Sequence, residues 1–402
     1  MQQAPRFCGF TSADGGDAIN DAVRVTWRLV DLGRRLAGVA PMAPPKQGAQ
    51  FHFSLPGSVQ GFRVEATGAG ALRVSNEPFE AGRALCTRYE GLGAEPAAVL
   101  TPTSTAPDVV RMRTYELMAT PMLYSGQMVR ARVFAEASNP GAVEVALRAL
   151  VYDRNDALSA VDGDAAALAP GAETVLSWRI PDTGGQPIQS IGIALRSQAV
   201  GASGAVRLDY LRWDGAPDLR LRRPDETSDF WRRSWVNGVS FFSKNFPQAF
   251  RISQDREEGL LVHGTRQWTD YRVAATVTVN LAEYAGVGVR VQGLRRYYAA
   301  LLVRPDVFRI VKVFDGAVTT LAETSFAWDF ERPYPIVVEV VGRQLRASIG
   351  EVTLAATDDA LTNGGVALVI SGGALSCDEI RITPPAGAAF GAIGIQPESV
   401  EG

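Results

Sequence analysis

From Trp268 to Leu302 the chain reads WTDYRVAATVTVNLAEYAGVGVRVQGLRRYYAALL, with apolar residues at every second position over most of its length. A repeat of two belongs to a strand with one buried face, because successive side chains leave a strand on opposite sides. A helix would need apolar residues at a spacing near 3.6, and none is present here. On this reading Val287, Val289 and Val291 point into a core, while Gly288, Arg290 and Gln292 occupy an available polar face.

The same alternation fills most of the chain. Between residues 51 and 217 it recurs as FHFSL, VQGFRVEA, ALRVSN, RALCTRYE, VVRMRTYEL, MVRARVFAE, VEVALRALVYD, ETVLSWRI, IQSIGIALRS and AVRLDYLRW, separated by Gly, Pro, Asp and Asn. Short strands at regular spacing predict a two-sheet jelly roll. Residues 228–385 continue with further strands, and Asp315-Gly316 and Asn363-Gly364-Gly365 supply hairpin signals. No helical pattern stands between strands, which excludes a doubly wound parallel sheet. Residues 213–229 read as a linker. Only residues 1–45 differ: Ile19, Val23, Trp27 and Val30 recur at helical spacing before a Pro-rich run. The expected fold class is therefore all-β, two tandem antiparallel β-sandwiches preceded by a short N-terminal helix, with residues 386–402 as a tail.

A chain of 402 residues is long enough for two full cores. Its net charge of -3 gives no global attraction for nucleic acid. No apolar run approaches the roughly 20 residues of a membrane span. The start, MQQAPRFCGF, has neither the charged nor the apolar part of a secretory signal, so a cytoplasmic location is the default expectation. Cys8, Cys86 and Cys377 are far apart and form no CxxC, as expected of buried free thiols.

Histidine is nearly absent. With only His52 and His263, a His-based zinc site lacks ligands, and a nucleophile–histidine system would have to use His263 without any GxSxG elbow. Carboxylates are more plentiful. Asp153 to Asp156 reads DRND, with Asp162 and Asp164 soon after, and is either a calcium loop or a solvated turn. Glu65 and Asp209 sit near the first and last strands of the jelly roll, which are often neighbours. They are expected to hold a structural calcium, or else to be a surface Glu and a capped Asp. Asp14, Asp17 and Asp21 around two glycines suit a metal turn or a helix cap.

Residues 230–312 carry the stronger ligand signal. Trp231, Trp235, Phe241 and Phe242 precede His263, Arg266, Trp268, Arg290, Arg296, Tyr298 and Lys312. Aromatic faces stack on sugar rings and guanidinium groups fix hydroxyls through paired donors. The competing reading makes each Trp a core or edge-sealing residue.

The phrases INDAVRVTWRLVDLGRRLAGVA, RLDYLRWDGAPD, WVNGVS, GTRQWTDYRV and VRVQGLRRYYAALL resemble the C-terminal accessory portion of bacterial ADP-ribosylglycohydrolase-family proteins. The resemblance implies a galactose-binding-like module over 51–217, a concanavalin- or laminin-G-like one over 228–385, and a helical catalytic domain as partner in cis or in trans. The family's magnesium-binding acidic motifs are not matched here. The expected function is non-catalytic recognition of a carbohydrate or nucleotide sugar through Trp235, His263, Arg266, Trp268, Arg290, Arg296, Tyr298 and Lys312. Two alternatives stay open: a glycan-acting hydrolase or lyase using Arg290, Tyr298 and His263, and a purely structural pair of interaction domains.

Overall fold

The structure is a computed structural model and describes residues 29–39, 46, 49–65, 70–103, 123–153, 155–223, 230–243, 246 and 250–386. The protein is all-β, with two tandem antiparallel sandwiches. A helix, α1, covers residues 29–36 of the described chain.

The first sandwich contains β1 (Arg63–Glu65), β2 (Ala71–Phe79), β3 (Gly82–Leu92), β4 (Ala97–Pro102), β5 (Met128–Ala135), β6 (Val143–Tyr152), β7 (Leu158–Asp162), β8 (Ala166–Leu168), β9 (Glu173–Arg179), β10 (Ile188–Arg196) and β11 (Ala202–Asp214). One sheet runs β1-β4-β10-β6-β7, with β8 also on β6, and the other runs β2-β3-β11-β5-β9. Alternation decides which residues meet between them. Val145, Leu147, Ile191 and Ile193 from one sheet pack with Val129, Val133, Leu208 and Leu211 from the other. The residues between them are left on the two outer faces.

The second sandwich contains β12 (Leu219–Arg222), a short helix α2 (Phe230–Arg233), β13 (Val236–Gly238), β14 (Phe241–Ser243), β15 (Phe250–His263), β16 (Tyr271–Leu281), β17 (Tyr284–Gly293), β18 (Arg296–Val303), β19 (Val307–Phe314), β20 (Ala317–Ser325), β21 (Pro333–Val341), β22 (Gln344–Ile349), β23 (Val352–Thr357) and β24 (Gly365–Thr383). Its layers are joined through β15 and β24. Residues 365–371 of β24 pair with β17, and residues 374–383 pair with β16. The switch is made at Gly372 and Gly373, both at positive φ. A Cβ on Gly373 would lie 1.8 Å from the Leu281 carbonyl oxygen, so only glycine fits this corner.

Several elements depart from the sequence reading. In FHFSL only Phe51 pairs, exchanging two 3.0 Å backbone hydrogen bonds with Leu211. The segment VVRMRTYEL lies outside the described residues, as do Cys8, Asp14, Asp17 and Asp21. Strands β4, β7 and β8 form where none was expected. Leu219–Arg222 is not a linker: it adds to the second sandwich as β12, with Leu219 and Leu221 in the core and register Arg220↔Arg381. The helix α2 interrupts a region expected to hold strands alone.

The two sandwiches touch through specific groups. Tyr124 sits edge-on to His263 (5.3 Å) and Trp268 (4.7 Å), and Trp213 Nε1 donates to Gln267 Oε1 at 2.7 Å.

Candidate ligand-binding face

The residues expected to meet a ligand on the second sandwich are mostly inside it. Arg290 is 1% exposed, and its φ of 47° breaks the alternation from which its orientation was read. The register shifts after Val289, so Val289 enters the main core while Val291 joins an apolar cluster on the opposite face of the sheet. Arg290 turns inward. Its Nε donates to the Thr269 carbonyl (3.1 Å), Nη1 to the Leu361 carbonyl (3.1 Å), and Nη2 to Asp270 Oδ1 (3.2 Å). Tyr298 is fully buried and donates to Asp358 Oδ1 at 2.6 Å, where Lys312 also binds Oδ2 at 2.5 Å. The Leu361 amide donates to the Tyr298 hydroxyl. Arg290, Tyr298 and Lys312 therefore do converge, on the loop from Asp358 to Gly364, and their donors are committed to closing one end of the sandwich.

The aromatic residues are likewise structural. Trp235 packs on His263 at 4.6 Å, and Trp268 lies between Tyr124 and Tyr271. Burial holds the His263 imidazole down at about 3, and its Nδ1 faces the Ser234 carbonyl at 3.2 Å. Arg266 is half-buried beside them. Only Arg296 is substantially exposed, stacked on Phe314 and paired with Asp315 at 2.6 Å. Cys86 and Cys377 are buried, with thiols pushed up to about 11 and about 12 by desolvation, so neither is a thiolate nucleophile.

The calcium pair is also corrected. Asp209 lies on β11 and Glu65 on β1, in different sheets of the first sandwich. Asp209 is bound by Lys46 and Arg132, and Arg132 also reaches Glu80 and Glu173. Cations stand where the metal was expected. Asp153 Oδ1 accepts the amides of Asn155 and Ala157, the bonds of a turn rather than of a calcium loop. Among the described residues no group of three or more His, Cys, Asp or Glu could hold a metal ion.

The polar cleft lies instead on the outer face of the sheet β1-β4-β10-β6-β7. The register aligns Arg63, Leu100, Gly192, Arg148 and Asp162 in one row across the sheet. The adjacent row is Glu65, Ala98, Ala194 and Ala146, and the next pairs Arg196 with Glu144. Same-face rows along a strand are about 7 Å apart. Small alanines thus make the floor of a trough, and charged pairs make its walls. One wall is Arg148, 7% exposed and bidentate on Asp162 at 2.6 and 2.7 Å. The other is Arg196 on Glu144 at 2.6 Å, with Gln198 on the second Glu144 oxygen at 3.0 Å.

Glycine shapes both sides. A Cβ on Gly192 would meet the Val99 carbonyl oxygen at 2.1 Å, and one on Gly163 would meet the Trp178 ring at 2.7 Å. Gly163 lets the chain between Asp162 and Asp164 press against that ring. The resulting cavity of about 210 Å³ is lined by Pro96, Glu144, Asp162, Asp164, Ala194 and Arg196, among others. Glu65 stands beside it with Oε2 buried and without a hydrogen-bond partner. Burial raises the Glu65 carboxyl above its usual range, Arg148 draws it down and Asp162 pushes it up. Asp162, Asp164 and Glu65 were visible in the sequence as isolated carboxylates. Arg148, Glu144 and Arg196 were not singled out, because nothing local marks them.

No family model matches the chain, and no curated protein matches it, so the resemblance to ADP-ribosylglycohydrolase proteins has no family match beneath it. Among solved structures the chain is similar to carbohydrate-binding module CBM66 from Bacillus subtilis, at 14% identity and TM-score 0.35, covering 37% of this chain and 94% of that one. It is similar to the tandem CBM22 modules of Paenibacillus barcinonensis Xyn10C at 10% identity and TM-score 0.28, over 83% and 96% of the two chains. A galectin from Caenorhabditis elegans is similar at 8% identity and TM-score 0.26, over 39% and 99%. Values this low say nothing of ligand or activity.

Proposed function

We propose that this protein is a non-catalytic carbohydrate-recognising protein, and that the alanine-floored trough of its first sandwich holds the glycan. The observation that carries the reading is the trough itself: a small-residue floor between two guanidinium–carboxylate pairs, with an unpartnered Glu65 oxygen beside it. A polyol offers many hydroxyls that both donate and accept, and it is best met by fixed donors and acceptors set side by side. Arg196 supplies donors, Arg148 holds Asp162 in place, and Glu65, Glu144, Asp162 and Asp164 supply acceptors. Both signs of charge are present, which suits an uncharged ligand better than a lone ion. Among the described residues, the two cysteines are buried and the two histidines are 4% and 3% exposed, so none stands ready to attack a bound ligand.

The test is a printed array of neutral oligosaccharides, followed by calorimetry on the best binder. Ala146→Leu places a branched side chain in the trough without touching any charge, and should abolish binding while leaving the circular dichroism spectrum unchanged. Arg148→Met should also abolish it. Retained affinity in a folded Ala146→Leu protein, or no array signal at all from the wild type, refutes the proposal. Cleavage of the bound oligosaccharide would refute its non-catalytic half.

A further inference from the structure

The second sandwich carries an unusual face of its own. In the sheet formed by β12, residues 374–383 of β24, β16, β21, β22 and β23, the apolar residues turn inward, among them Leu221, Ile382, Val273, Val338 and Leu345. Their neighbours turn outward and include Arg220, Arg222, Arg272, Arg346 and Arg381. The carboxylates on these strands are Glu339, Asp378 and Glu379. Five arginines against three carboxylates leave this face cationic on a chain whose net charge is -3.

Six arginines of the first sandwich are neutralised by carboxylates. Arg132 meets three carboxylates, Arg207 meets two, and Arg88, Arg130, Arg148 and Arg196 each meet one. On this face Arg220 pairs with Glu379 at 2.8 Å, whereas Arg222, Arg272, Arg346 and Arg381 make no ion pair among the described residues. The arrangement opposes stability. Arg220 stands directly across from Arg381, and like charges in that position repel. Arg381 is also diagonal to Arg272, through the pairs Arg381↔Ala274 and Arg272↔Thr383.

Arg272, Glu339 and Arg346 share one row across β16, β21 and β22, which spaces the two arginines by about 10 Å. Between them Glu339 Oε1 accepts the Ala386 amide at 2.8 Å, and Glu339 makes no ion pair with either arginine among the described residues. Beside Arg346 opens a cavity of about 580 Å³, lined also by Glu339, Gln344, Ala355, Thr357 and Ala386. Among the described residues no aromatic side chain lines it.

We propose that this face binds an acidic polysaccharide, independently of the trough on the first sandwich. A chain of carboxylates laid across the rows would bridge arginines that otherwise repel one another, each carboxylate accepting a charge-assisted hydrogen bond. Single-stranded nucleic acid is the poorer fit, because it gains affinity by stacking bases on aromatic rings and the described lining of the cavity offers none.

Affinity electrophoresis of the whole protein tests this, with polygalacturonate, dextran or oligodeoxythymidylate in the gel. Polygalacturonate should retard the protein and dextran should not, and retardation should fade as salt shortens the range of the charges. The double variant Arg272→Gln, Arg381→Gln should bind about a hundredfold more weakly, near tenfold for each lost charged contact. Arg346→Glu provides a second, single-site reading. The trough variant Ala146→Leu should bind polygalacturonate as the wild type does, so the two sites succeed or fail separately. The proposal is overturned by a folded wild-type protein that polygalacturonate does not retard, by unchanged retardation of folded variants, or by oligodeoxythymidylate binding more tightly than polygalacturonate.

Discussion

Arg148 in the first sandwich and Arg290 in the second are both almost wholly buried, yet they are spent differently. Arg148 binds a carboxylate whose side chain is 37% exposed and which lines a cavity. Arg290 binds two backbone carbonyls and one carboxylate around a loop that it closes. A guanidinium satisfied by main-chain oxygens has little left to offer a ligand, whereas one that braces a carboxylate at the rim of a trough sets an acceptor in place for it. Burial alone does not separate a structural arginine from a recognition arginine. The partners do.

That contrast breaks most easily at Arg290. Removing its side chain leaves the Thr269 and Leu361 carbonyls without these donors and opens a cavity, so Arg290→Ala should cost about 3–5 kcal/mol in urea unfolding. Glycan affinity in the trough should be untouched. A stable Arg290→Ala protein that has lost glycan binding would reverse the assignment of the two arginines.

His263 gives a smaller, pH-dependent effect. An unfolded histidine takes up a proton below its ordinary value of 6.5, whereas the buried imidazole stays neutral down to about 3. Between those values the unfolded state binds more protons, so stability is lost as pH falls from 6.5 to 3, by at most about 1.4 kcal/mol per pH unit. Glu77, held at about 2 chiefly by its hydrogen bond from Arg88, adds a loss of its own only as pH falls from 4.5. Urea unfolding between pH 6.5 and about 5 reads the histidine before Glu77 contributes, while the raised Glu65 carboxyl acts in the opposite sense. His263→Phe should flatten that slope, and an unchanged slope would show that His263 is not its source.

The smallest effect belongs to Arg296, whose ion pair with Asp315 is open to solvent. Arg296→Ala should leave the urea midpoint unmoved. A shift as large as that of Arg290→Ala would remove the distinction between inward and outward arginines.

The strand pattern carried the fold class because burial on one face of a sheet imposes a repeat of two, and VTV, RVF or IAL betray it locally. It failed at Arg290 because one residue at positive φ shifts the alternation after it, and nothing in GVGVRVQG announces the bulge. It failed for β12 because Leu219 and Leu221 alternate over only four residues, within a stretch rich in Pro and Asp. The trough was illegible for another reason. Its walls come from β1, β6, β7 and β10, whose side-by-side order is a product of tertiary pairing, and its floor is alanine, which carries no chemical signal. Glu65 was placed opposite Asp209 on the expectation that first and last strands adjoin, whereas β1 pairs with β4 and β11 with β3 and β5.

The long strand β24 has a consequence for synthesis. It is a neighbour of β12, β15, β16 and β17, and both layers of the second sandwich are pinned to it. Until residues 365–383 have left the ribosome, those strands wait with their central seats empty, while the first sandwich, complete at Asp214, can already close. The hairpins waiting upstream expose unpaired edges throughout that interval, which makes it the time when a nascent chain of this protein most needs shielding from its neighbours.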